Sequence, residues 1–133
     1  MKSMIAAYVA AALVMAGLDL VWLSQTGDTF YRASLSSVMA EKAYIPAAVA
    51  FYLLYVLGIV YFGARAGLAN GIWRDALLSG ALFGFFCYMT YDLTNMATLK
   101  MWSWKVTLVD IAWGSGVTAV SSVAAYFAGS ALR

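Results

Sequence analysis

Residues 4–23 read MIAAYVAAALVMAGLDLVWL, twenty positions with a single charged side chain, Asp19. At 1.5 Å per residue such a helix covers about 30 Å, the thickness of a bilayer's hydrocarbon core. The stretch therefore predicts a transmembrane helix over about Met4–Leu23. Three more windows of the same kind follow, at about Tyr44–Gly63, Ala76–Ala97 and Val106–Ala128. Composition agrees: 65% of the 133 residues are hydrophobic and 11% charged, against roughly 25% charged in a soluble domain. The expected fold is all-α, an integral membrane bundle of four transmembrane helices in one domain, with both termini on the same side.

Lys2, the apolar run behind it and the small residues near Ala16 also have the outline of a secretory signal. The apolar run continues beyond that point to Trp22, so it is read as a retained first span. Between the spans, Ser24–Lys42 carries Asp28, Arg32, Glu41 and Lys42, and Arg65–Asp75 carries two glycines, Asn70 and Arg74. In the first of these segments Tyr31, Leu35, Val38 and Met39 recur at helical spacing, which fits either a short interfacial amphipathic helix or a polar loop. The third connection, Lys100–Lys105, is short enough to force a tight hairpin. Lysine and arginine are balanced across the membrane: Lys2, Arg65, Arg74 and Arg133 on the terminal side, Arg32, Lys42, Lys100 and Lys105 on the other. The terminal ammonium and the Arg65/Arg74 pair point to a cytoplasmic N-terminus.

Several chemistries are excluded. The chain has no histidine and a single cysteine, Cys87. It cannot form an intramolecular disulfide, run histidine-based catalysis or assemble a thiolate–imidazole metal site. A net charge of +2, scattered along the chain, gives no nucleic-acid footprint. No metal site is expected, and no cofactor is marked.

What remains is an acidic and aromatic pattern. Leu18-Asp19-Leu20-Val21-Trp22 is echoed by Val109-Asp110-Ile111-Ala112-Trp113, and Asp92 lies in a third apolar stretch. Half of the six acidic residues thus sit inside spans, where a carboxylate costs about 2.5–3.5 kcal/mol at the centre. Asp19 and Asp92 lie about four and five residues before the ends of spans one and three, and Asp110 about four after the start of span four. All three therefore fall roughly 6–9 Å below the membrane face opposite the termini. Trp22 and Trp113, at i+3, share the faces of their aspartates.

The candidate ligand- or ion-binding residues on this layer are Asp19, Trp22, Tyr52, Tyr55, Tyr91, Asp92, Asn95, Asp110 and Trp113. Thr94, Thr98, Lys100 and Lys105 stand as supporting groups, the lysines either snorkelling or pairing with the carboxylates. Trp102 and Trp104 are expected in an interfacial aromatic belt. In the other half of the bundle Ala7, Ala11, Ala12, Ala16, Gly80, Gly84, Thr118, Ala119 and Ser122 are small, as close helix packing requires. A fixed polar plug, with Asp19 and Asp110 tied to indoles and hydroxyls, is the structural alternative to a functional pocket.

The phrases Phe51-Tyr52-Leu53-Leu54-Tyr55-Val56, Gly80-Ala81-Leu82-Phe83-Gly84, Tyr91-Asp92-Leu93-Thr94-Asn95 and Asp110-Ile111-Ala112-Trp113-Gly114 resemble a bacterial family of small membrane proteins, Domain of Unknown Function 2177. The resemblance runs along essentially the whole chain. It implies four spans and the bacterial inner membrane, and transfers no catalytic residue.

Three functions fit. The first is binding or transport of a cation, a proton or a lipophilic small molecule. The second is a role as accessory or assembly subunit of a larger membrane complex. The third is a small enzyme using paired aspartates on a lipid or isoprenoid. The expected partners are the lipid bilayer, a lipophilic or cationic small molecule, and a second copy or a larger complex; no nucleic acid is expected.

Overall fold

A computed structural model describes residues 1–133 as four helices: α1 (Lys2–Leu35), α2 (Ile45–Asn70), α3 (Trp73–Thr98) and α4 (Trp104–Ala131). All four are long and apolar enough to cross a membrane. All but 10 of the 104 backbone hydrogen bonds lie within helices, which is how backbone in hydrocarbon satisfies itself without water. Both termini lie at one end. There the Ser3 hydroxyl donates to the Gly129 carbonyl at 2.6 Å, and Tyr126 ties in the α2–α3 turn by donating to the Gly71 carbonyl at 2.9 Å.

Helix ends follow local chemistry. Pro46 stands in the first turn of α2, where its missing N–H costs nothing. Gly71, at φ 74°, stops α2 in the left-handed conformation that glycine adopts without penalty. Ser103 caps α4 by accepting the Val106 N–H at 3.4 Å.

The helices are longer than the apolar windows. Most notably, α1 continues through the segment read as a break and ends at Leu35, with a wider π-helical turn over Gly27–Arg32. No proline interrupts it, and its polar side chains bond to the helix itself. Ser24, Thr26 and Thr29 donate to the carbonyls of Val21, Trp22 and Gln25, and Arg32 pairs with Asp28 one turn back at 3.2 Å. The segment expected as either a separate amphipathic helix or a polar loop instead begins as the end of α1. It buries Leu35 and leaves Val38 and Met39 exposed beyond it. Likewise α2 runs past Gly63 to Asn70, carrying Arg65, whose guanidinium lies over the Tyr61 ring.

Small residues set the packing. A methyl added at Gly84 would strike the Gly114 carbonyl and the Thr118 side chain, and one at Gly80 would strike Ser122. Those gaps let α3 and α4 approach closely. The apolar core joins Ala7, Ala11 and Met15 of α1 to Val56, Ile59, Val60, Ala64 and Leu68 of α2 and to Val117 and Ala125 of α4. Only 26 of 133 residues are buried, so the bundle turns its large apolar side chains outward, to lipid.

One irregularity positions the site. A second π-helical turn over Ile59–Ala64 divides α2. Beyond it α2 packs on α3 and α4; before it, over Ile45–Gly58, the backbone approaches α1 and stands off from the other two. Aromatic side chains bridge the gap: the Tyr55 hydroxyl lies 2.8 Å from Thr118 Oγ1, and its ring stacks on Phe83 at 5.3 Å. The bundle is therefore closed at the terminal end and splayed at the aspartate end.

Candidate functional site

The two Asp-x-x-Trp phrases run in opposite directions and meet. Their indoles stack nearly parallel, centroids 4.4 Å apart and planes 6° from one another. Each tryptophan serves the other copy's aspartate. Trp113 donates its indole N–H to Asp19 Oδ1 at 2.9 Å. Trp22 donates to the Tyr31 hydroxyl at 3.1 Å, and Tyr31 donates in turn to Asp110 Oδ1 at 2.8 Å. The second oxygen of Asp19 accepts from Tyr52 at 2.7 Å. Asp19, buried in α1, thus has a donor on each oxygen; charge-assisted bonds of this kind contribute about 1.5–3 kcal/mol each. It is a fixed acceptor that ties α1 to α2 and α4.

Asp92 is different. It is fully buried on α3, and neither carboxyl oxygen has a hydrogen-bond donor. The Asp110 carboxyl lines the same cavity. Two carboxyl groups satisfy one another only through a shared proton or a cation held between them.

The three aspartates line one cavity of about 330 Å³. Its other walls are mostly aromatic: Trp22, Trp113, Trp102, Tyr31, Tyr88 and Tyr91. The end of α1 contributes Gly27, Tyr31 and Leu35, with Met39 just beyond it. No lysine or arginine reaches the wall. No three Asp, Glu, Cys or His side chains converge on one point. A second cavity, about 370 Å³, is lined by Phe51, Tyr55, Cys87, Tyr88, Tyr91 and Asp110.

Most of the residues singled out from the sequence come together here. Asp19, Trp22, Tyr91, Asp92, Asp110 and Trp113 line the first cavity, Tyr55 the second, and Tyr52 stands behind Asp19 as its donor. Asn95 is half-buried on α3 and lines neither cavity. Thr94 and Thr98 face outward and bond to carbonyls one turn back on their own helix. Lys100 and Lys105 are exposed and make no ion pair with an aspartate. Thr94 and Thr98 miss the cavity because α3 turns them away from the face that carries Asp92, whereas Lys100 lies in the α3–α4 connection and Lys105 in the exposed first turn of α4.

Trp102 departs from the expected aromatic belt. It lines the cavity, donates to Thr107 Oγ1 at 2.9 Å and meets Tyr91 edge-on. Trp104 remains exposed.

Two polar aromatics of the site, Tyr88 and Tyr31, were not among the candidate binding residues. Tyr88 precedes Asp92 by four positions and so shares its helix face, a signal the sequence did contain. Its ring fits because residue 114 is glycine: an added methyl there would fall on the ring itself. Tyr31 gave no such signal, because its depth depends on α1 continuing through a polar stretch.

The family model described as "Predicted membrane protein (DUF2177)" matches residues 4–127, and the chain belongs to that family. No curated protein and no solved structure matches it.

Proposed function

We propose that this family member binds an organic cation, an ammonium-type group, in the acidic and aromatic cavity, as a binding or transport protein of the bacterial inner membrane. The observation that carries the reading is Asp92: fully buried and without a donor, at the wall of a cavity that holds two further carboxyl groups and no basic side chain. Such a carboxylate is costly in a membrane protein, and a cation bound beside it relieves the cost.

The wall composition favours an organic cation over a metal ion. Stacked indoles and three tyrosine rings line the wall, and an aromatic face contributes up to about 2 kcal/mol to a desolvated cation. Asp19, with its bonds to Trp113 and Tyr52, serves as the scaffold that holds the indole pair in place. The terminal ammonium and Arg65/Arg74 favour a cytoplasmic N-terminus, which puts the cavity near the opposite face.

Tetramethylammonium is the probe. Titrated into the protein in lipid nanodiscs, it quenches or shifts the fluorescence of the cavity tryptophans in a saturable way. Asp92→Asn weakens its affinity about tenfold or more, the equivalent of about 1.4 kcal/mol. No saturable response, or an unchanged affinity in Asp92→Asn, refutes the reading.

A further inference from the structure

The two cavities at the aspartate level have a common wall: Tyr88, Tyr91 and Asp110 line both. On the far side of that wall the chamber is apolar and aromatic, with Phe51, Tyr55 and Cys87, and its only charged group is the shared Asp110. It occupies the gap left where the first half of α2 stands off from α3. Phe51 is 43% exposed and Tyr91 58% exposed, on the outer surface of helices that face lipid.

We propose that this chamber is a lateral portal between α2 and α3, through which the ligand reaches the acidic cavity from within the bilayer. The ligand is therefore an amphiphilic cation whose charged head enters the cavity and whose hydrocarbon body stays in the chamber. The inference rests on the proposed cation site and adds its route and substrate class.

Charge and shape commit the chamber to this occupant. A neutral lipid tail has no use for Asp110, and a small hydrophilic cation has no use for Phe51 and Tyr55. An amphiphilic cation matches both at once, apolar against apolar and charge against carboxylate. Tyr88 and Tyr91 divide the route unequally. The Tyr88 ring is fixed against Gly114, whereas Tyr91 is more than half exposed and touches Trp102 only edge-on at 5.9 Å. Tyr91 is the side that swings to admit the head group.

The chain supplies its own reporter, since Cys87 is its single thiol and lines the chamber. Alkylation of Cys87 by membrane-permeant N-ethylmaleimide is followed by mass spectrometry on the full chain in nanodiscs. Decyltrimethylammonium, tetramethylammonium and uncharged decanol are compared, with tryptophan fluorescence read in parallel. Decyltrimethylammonium at about ten times its Kd leaves roughly a tenth of the sites open, so alkylation slows about tenfold. Tetramethylammonium changes fluorescence without protecting Cys87, decanol does neither, and Asp110→Asn abolishes the decyltrimethylammonium protection.

If decyltrimethylammonium changes fluorescence and Cys87 reacts at its original rate, the portal is refuted and the cation site stands. Equal protection by decanol also refutes it, because apolar partitioning then suffices. If no cation changes the fluorescence, the cation site itself fails.

Discussion

Asp19 and Asp92 lie at the same depth, and isosteric replacement of each should move stability in opposite directions. Asp92→Asn removes a buried carboxyl group that no donor satisfies and installs an uncharged amide of the same shape. An unsatisfied buried polar group costs about 1–3 kcal/mol, and more when charged, so the variant is expected to be more stable by about that amount. Asp19→Asn acts on a carboxylate with a donor on each oxygen, Tyr52 at 2.7 Å and Trp113 at 2.9 Å. The amide keeps one acceptor and turns an N–H₂ group toward the other donor. Losing one charge-assisted bond and weakening the second costs about 2–4 kcal/mol. One kcal/mol shifts a melting temperature by roughly 2–8 °C over the size range of single domains. Thermal unfolding in nanodiscs should therefore separate the variants by many degrees, with wild type between them. The same Asp92→Asn protein should have lost cation affinity, so stability and binding trade off at one residue. A loss of stability in Asp92→Asn comparable to that in Asp19→Asn would refute the reasoning, because Asp92 would then be a satisfied structural group like its neighbour.

Three other substitutions probe the surroundings. Gly114→Ala puts a methyl onto the Tyr88 ring; overpacking of this kind costs about 1–3 kcal/mol, and displacement of Tyr88 should also weaken tetramethylammonium binding in a fluorescence titration. Tyr31→Phe removes the bond to Asp110 and the acceptor for Trp22. Amide hydrogen exchange over residues 24–35 should accelerate, while that of α3 and α4 stays unchanged. Ser122 is a buried hydroxyl with no partner, and Ser122→Ala should be neutral or stabilising by up to about 1 kcal/mol, read as an unchanged or raised melting temperature.

The spans were legible because hydropathy is a property of consecutive residues. Twenty apolar positions cross the hydrocarbon core whatever else the chain does. Helix length was less legible, as α1 shows. Its polar continuation, from Ser24 to Leu35, holds together through hydroxyl-to-carbonyl bonds and a π-helical turn, details a hydropathy window averages away. Chain direction and the 1.5 Å rise also sufficed to put Asp19, Asp92 and Asp110 at one level, and one cavity does contain all three.

The sequence by itself determined which stretches are apolar enough to span a membrane, that the three carboxylates share one level and which small residues face a neighbour, because these follow from one-dimensional periodicity. It could not say which carboxylate is satisfied. Asp19 and Asp110 occur in the same phrase, while Asp92 stands alone, yet it is Asp92 that is buried without a donor. Only the tertiary structure decided that, because a hydrogen bond depends on which side chains from other helices arrive within about 3 Å. The donors of Asp19 come from residues 52 and 113, and the donor of Asp110 from residue 31. Azimuth around each helix and the splay of α2 control those meetings, and neither is written in the order of the residues.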